Sequence, residues 1–158
     1  MNPVRETRGV STMKPIAESK VVVPWDFSEM STEALQTARS LVNSPKQLHV
    51  IHVDTLVIPA GDPGSIYGVV SQDTQRENLI RAFREKIGSG ELADVDFEVR
   101  FGDPGSEVTR YAHQVGADLI VISSHGRTGL SRLLIGSVAE RIVRLAHCPV
   151  LVLRKEHD

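Results

Sequence analysis

The stretch DLIVISSHGRTGLSRLLIGSVAERI, residues 118–142, decides the fold. It opens with Leu119 to Ile122, apolar at every position, as expected of a strand covered on both faces. A glycine-bearing segment follows, and then a helix that begins at Gly136-Ser137-Val138. A buried strand feeding a helix in this way is the opening of a parallel crossover unit. A helix N-terminus carries unbonded N–H groups and partial positive charge, so this junction is a candidate anion site. Gly136 would let a phosphate approach the backbone, and the Ser137 hydroxyl could donate to it. Gly126 and Gly129 permit turns that a side chain would obstruct. Arg127 and Arg132 are within reach of phosphate oxygens in such a loop. Read from the residues alone, the same pattern also fits a glycine-rich connector with a serine cap and solvated arginines.

Working outward, the rest of the chain repeats the strand–helix alternation. Val21-Val22-Val23 predicts a short buried strand stopped by Pro24, and Ser28 or Ser31 caps the helix that follows. Ala34, Leu35, Ala38, Leu41 and Val42 form its apolar face. Leu48 to Val53 reads as a second strand, and Thr55 to Val70 as a long loop. A helix from about Ser71 to Ile87 turns Leu79, Ile80, Phe83 and Ile87 inward. Val95, Phe97, Val99 and Phe101 alternate with polar residues, as in a strand near a sheet edge. Asp103-Pro104 starts a helix whose core face is Val108, Tyr111, Ala112 and Val115. The helix from Ser137 to His147 is expected to bury Val138, Ile142, Leu145 and Ala146, and Pro149 to Leu153 is the last strand. The fold class is therefore α/β: a single three-layer domain over residues 20–158, with helices on both faces of a five-stranded parallel sheet, preceded by a flexible tail over residues 1–19. Ligands in such sheets bind beyond the carboxyl ends of the strands, where the strand order reverses.

Composition narrows the function classes. A formal net charge of −2 and 4% aromatic residues give no footprint for nucleic acid or an anionic membrane. Cys148 is the single cysteine, so no disulfide forms within the chain, and the first residues lack the apolar core of a secretory signal. The expected location is the cytoplasm. There is no G-x-x-x-x-G-K-[ST] and no G-x-G-x-x-G after the first strand. His49 and His52 point to opposite faces of their strand, and no histidine spacing suggests a metal. His125 has no Ser-His-Asp arrangement around it and reads as a loop-packing or phosphate-neighbouring residue. No catalytic residue is assigned.

The same glycine segment carries a more specific pattern. Gly126, the intervening RTGLSRLLI and Gly136-Ser137 resemble the universal stress protein signature, in which G-x-x-G is followed nine residues later by G-S or G-T; the first glycine falls on Ser123. The resemblance runs from about Ser19 to Arg154. It includes Pro24-Trp25-Asp26-Phe27-Ser28, the strand ending in His52-Val53, and Pro149 to Leu153. It implies the strand order 3-2-1-4-5 and an ATP site. Asp26 would contact the ribose or a phosphate-bound Mg²⁺, or else cap the next helix. Val53 would hold the adenine edge through its backbone, or else be plain core. Gly126, Gly136, Ser137 and Val138 would line the ribose and phosphate path. Pro24, Trp25, Ser123, His125, Arg127 and Gly129 complete the expected nucleotide-binding set. Trp25 either narrows the pocket, packs over the ligand or is an ordinary half-buried aromatic. The last strand, apolar on both faces, would lie at the sheet edge and pair with a second copy. The leading reading is an ATP-binding stress-response regulator acting as a nucleotide-dependent switch. The alternatives are a dimeric interaction module that binds no nucleotide and a slow ATPase.

Overall fold

The computed structural model describes residues 14–55, 71–87, 90–125 and 135–154. Its strands and α-helices alternate along the chain: β1 (Val21–Pro24), α1 (Glu29–Leu41), β2 (Leu48–Asp54), α2 (Gln72–Ile87), β3 (Asp96–Phe101), α3 (Pro104–Val115), β4 (Leu119–Ser123), α4 (Ser137–Leu145) and β5 (Val150–Leu153). The five strands form one sheet in the order β3-β2-β1-β4-β5, and every pairing is parallel. The expected α/β class and strand order are therefore the observed ones. β1 is flanked by β2 on one side and β4 on the other, so the order reverses beside it.

Side-chain alternation along the strands divides the core into two layers. Val21, Val23, Val50 and Val99 pack with Leu35 of α1 and Phe83 of α2 on one face. Val22, Ile51 and Ile120 pack with Val108 of α3 and Ile142 of α4 on the other. β4 is buried at all five positions because both layers cover it.

Local chemistry sets the helix ends. Ser28, not Ser31, is the cap of α1, accepting from Ser31 N at 3.1 Å. Asp103 caps α3 by accepting from Ser106 N at 2.8 Å, and this backbone bond holds its carboxyl below the usual carboxylate range. α3 then closes on Gly116, whose φ of 65° lies in the left-handed region that glycine tolerates.

One expectation is corrected. α4 ends at Leu145, and its inward residues are Ala139 and Ile142; Val138 and Leu145 are 37% and 48% exposed. The reason is close approach: a Cβ on Gly105 of α3 would lie 2.8 Å from the Arg141 side chain of α4. Helices that near turn their small residues inward. The described part of the expected tail, residues 14–19, makes contacts with the domain. Ile16–Glu18 form a 3-10 turn, Ser19 is buried, and Gln47 Nε2 donates to both Ala17 O and Ser19 O at 3.0 Å. Residues 1–13 of the expected tail and 56–70 of the expected loop lie outside the described residues. No helix among the described residues is long and apolar enough to cross a membrane.

Candidate functional site

The carboxyl ends of β1, β2 and β4 open into a cleft of about 450 Å³, closed on its other side by the first turns of α3 and α4. That volume is within the range of small-molecule sites, roughly 300–1,000 Å³.

The β1 wall is built by a tight turn. Phe27 has a φ of 69°, uncommon for a residue with a side chain, and follows Asp26 directly. The Asp26 carboxylate accepts from Ser28 N at 3.1 Å and from Ser28 Oγ at 2.5 Å, and its own N–H donates to Ser31 Oγ at 3.3 Å. The capping function weighed for Asp26 therefore belongs to Ser28, which Asp26 supports. Trp25 continues the alternation of Val21 and Val23, so its indole enters the α1–α2 layer. It is 2% exposed, with Phe27, Phe83 and Phe97 at ring-centroid distances of 4.2, 4.9 and 6.2 Å. The indole is thus core, neither half-buried nor a cover over the cleft.

The β4 wall is a run of hydroxyls tied to backbone. Ser123 Oγ donates to His125 O at 2.9 Å, and Ser124 Oγ lies 2.9 Å from His125 Nδ1. Gly136 N donates to Ser124 O at 2.7 Å, which pulls the start of α4 onto the end of β4. A Cβ on Gly136 would stand 3.1 Å from that same oxygen, so the close approach favours glycine, and any side chain here pushes α4 and β4 apart by a few tenths of an ångström. The first helical bond of α4 runs from Glu140 N to Gly136 O. The N–H groups of Ser137, Val138 and Ala139 therefore have no acceptor within the helix.

Between these walls Ile51, Val53, Val108, Ile122 and Ala139 supply apolar surface, while Ser31, Thr55, Ser123, Ser124 and Ser137 supply hydroxyls. Asp26 is the charged side chain among the described lining residues. Such a site suits a ligand with a flat apolar part, hydroxyl groups and an anionic end.

Of the residues expected from sequence, the fold brings together Pro24, Trp25, Asp26, Val53, Ser123, Gly136, Ser137 and Val138 around the cleft. His125 supports the β4 wall from behind and is not among the lining residues; its Nε2 is buried with no hydrogen-bond partner among the described residues. Gly126, Arg127 and Gly129, with Arg132, lie outside the described residues. Ser31, Thr55 and Ser124 were missed. Each is a small hydroxyl residue at a strand end or first helical turn, and that placement was the available signal. Cys148 is a free thiol pushed up in pKa by burial first and by Asp118 second, the character of a packing residue. No group of three or more His, Cys, Asp or Glu among the described residues could hold a metal ion.

The model of the Universal stress protein family matches residues 19–154. The chain belongs to this family. Universal stress protein MJ0531 of Methanocaldococcus jannaschii is 34% identical over 146 residues, which cover 86% of this chain and 82% of that protein. Among solved structures, hypothetical protein MJ0577, a test case for assigning biochemical function from structure, shares the fold at a TM-score of 0.65 and 21% identity, over 90% of this chain and 100% of its own. A universal stress protein in complex with cAMP matches at a TM-score of 0.57 and 21% identity, over 89% of this chain and 99% of its own. The universal stress protein fold thus accounts for the whole described domain, and the cleft lies where such a sheet reverses its strand order.

Proposed function

We propose that this universal stress protein binds ATP in the cleft and acts in the cytoplasm as a nucleotide-dependent regulatory module. The observation that carries the reading is the juxtaposition of Asp26 with the Gly136-Ser137 start of α4 across one cleft at the switch point. The apolar walls at Val53 and Ile122 suit an adenine, Asp26 suits ribose hydroxyls, and the first N–H groups of α4, which have no acceptor within the helix, suit phosphate oxygens. Gly136 lines the cleft and brings the start of α4 close against Ser124 O. In the alternative to the ribose contact, a Mg²⁺ ion on the phosphates would take Asp26 as its protein ligand, since this ion often uses few. The fold neighbour solved with cAMP lends support, because cAMP is itself an adenine nucleotide. Isothermal titration with ATP and Mg²⁺ tests the reading: saturable one-site binding is expected, and no binding heat would leave the interaction-module alternative.

Self-association is the second part of the proposal. β5 is an edge strand, Leu151 on it is 38% exposed, and Val143 and Leu145 of the adjacent α4 are 49% and 48% exposed. An apolar edge of this kind invites pairing with a second copy.

ATP turnover is expected to be slow, far below the enzyme median of about 10 per second. Phosphoryl transfer needs positioned cations and an oriented nucleophile, and the described cleft supplies one carboxylate and hydroxyls. A phosphate-release rate near that median, abolished by Asp26→Ala, would instead make the protein an ATPase.

Ser123 tunes affinity. Its Cβ and hydroxyl border the cleft, and its proton is committed to His125 O. Relief of crowding in the complex is worth about 1–3 kcal/mol, and the hydrogen bond to His125 O, formed without ligand, bears on stability and not on affinity. Ser123→Gly should therefore bind ATP at least about fivefold more tightly by calorimetry. Unchanged or weaker binding would show that the serine is used.

A further inference from the structure

Asp26 stands between two backbone carbonyls, and each of them is held by a side chain from a different element. Trp25 O, before it, lies 2.8 Å from Nδ1 of His52 on β2. A carbonyl can only accept, so Nδ1 carries the proton. Phe27 O, after it, accepts from the ammonium of Lys86 on α2. The same ammonium lies 5.7 Å from the centre of the Trp25 ring, and the His52 ring meets Phe27 edge-on with centroids 5.1 Å apart. The turn gripped in this way includes the left-handed φ of Phe27, a conformation that a residue with a side chain keeps only when its surroundings enforce it.

We propose that His52 and Lys86 are positioning residues for the nucleotide site, fixing the Trp25–Phe27 turn so that Asp26 is presented to the cleft. This rests on the reading of the cleft as an ATP site. Neither residue borders the cleft, so neither touches the ligand; each acts through a main-chain oxygen next to Asp26. The two grips are unequal in setting. His52 is buried, with 7% exposure, and belongs to the packed strand, whereas Lys86 is exposed on α2. Lys86 is therefore the adjustable member: losing its charge releases Phe27 O without opening the core. Anything that removes that charge, lysine acetylation included, would act on the site from outside it.

The test compares Lys86→Met with Lys86→Arg, which keeps the charge and the donor. Two readouts are needed. The first, without nucleotide, is hydrogen exchange at the amides of Asp26 and Ser28, whose acceptors are Ser31 Oγ and the Asp26 carboxylate. The second is the dissociation constant for ATP. Lys86→Met should exchange these two amides faster and bind ATP about fivefold more weakly, a modest loss because the contact is exposed. Its unfolding midpoint should match wild type, and Lys86→Arg should restore both readouts. His52→Asn, whose amide nitrogen can take the place of Nδ1, should keep the protection that His52→Leu loses. Wild-type exchange and affinity in Lys86→Met would overturn the proposal. So would equal losses in Lys86→Arg, or a fall in midpoint that accounts for the faster exchange. If wild type binds no ATP, the functional reading fails while the exchange comparison still decides whether the turn is held as proposed.

Discussion

A Gly136→Val variant is expected to lose ATP affinity by about ten- to a hundredfold while remaining folded. The backbone at this position, φ −60° and ψ 152°, is open to any residue, so the effect is not one of conformation. It is one of contact. The first added carbon would stand 3.1 Å from Ser124 O, and valine places two more carbons beyond it. Relief requires the start of α4 to move away from β4, which lengthens the 2.7 Å bond from Gly136 N to Ser124 O. The N–H groups of Ser137 and Val138 would then leave the position in which they face a phosphate. Losing charge-assisted bonds of about 1.5–3 kcal/mol each produces the expected drop. Circular dichroism and the unfolding midpoint establish that the variant folds, and calorimetry measures the affinity. A folded variant with wild-type affinity would remove phosphate binding from this junction.

A Leu151→Lys variant is expected to convert a dimer into a monomer. Residues alternate along β5, so Val150 and Val152 lean on the α3–α4 core, Leu153 packs on the other layer, and Leu151 is exposed. A lysine at Val152 would therefore injure the core, whereas one at Leu151 alters only the outward surface. In a two-fold pairing the new charge would oppose its own copy and would lose its hydration at the apolar edge. Light scattering at micromolar concentration should give a dimer for wild type and a monomer for Leu151→Lys, with similar unfolding by circular dichroism. A monomeric wild type, or a dimeric variant, would contradict pairing through this edge.

Much of this was legible in the sequence because buried parallel strands announce themselves. Leu119 to Ile122 and Val21 to Val23 are apolar without interruption, and the structure covers them on both faces. Caps were legible for a related reason: Asp103-Pro104 has few other conformations open to it. What failed was the facing of α4. Its sequence offers two apolar stripes, and the choice between them is made by how near α3 lies, a tertiary fact recorded at Gly105. The placing of Trp25 was left open although the signal for burial was present: it stands two residues beyond Val23 and four beyond Val21, on the same side of β1. Within the site, the glycines and Asp26 stood out by residue type. The hydroxyls of Ser31, Thr55 and Ser124 did not, because serine and threonine at element ends are too common to mark a ligand. Nor could sequence reveal that Ser123 spends its proton on His125 O.

If the cleft binds as proposed, it holds an adenine nucleotide. Mass spectrometry of the small molecules released when the purified protein is denatured tests it most directly. ATP, or a product of it, is expected in amounts approaching one per chain, with refilling of the emptied protein by added ATP with Mg²⁺. Protein that releases no nucleotide and takes up none would contradict it.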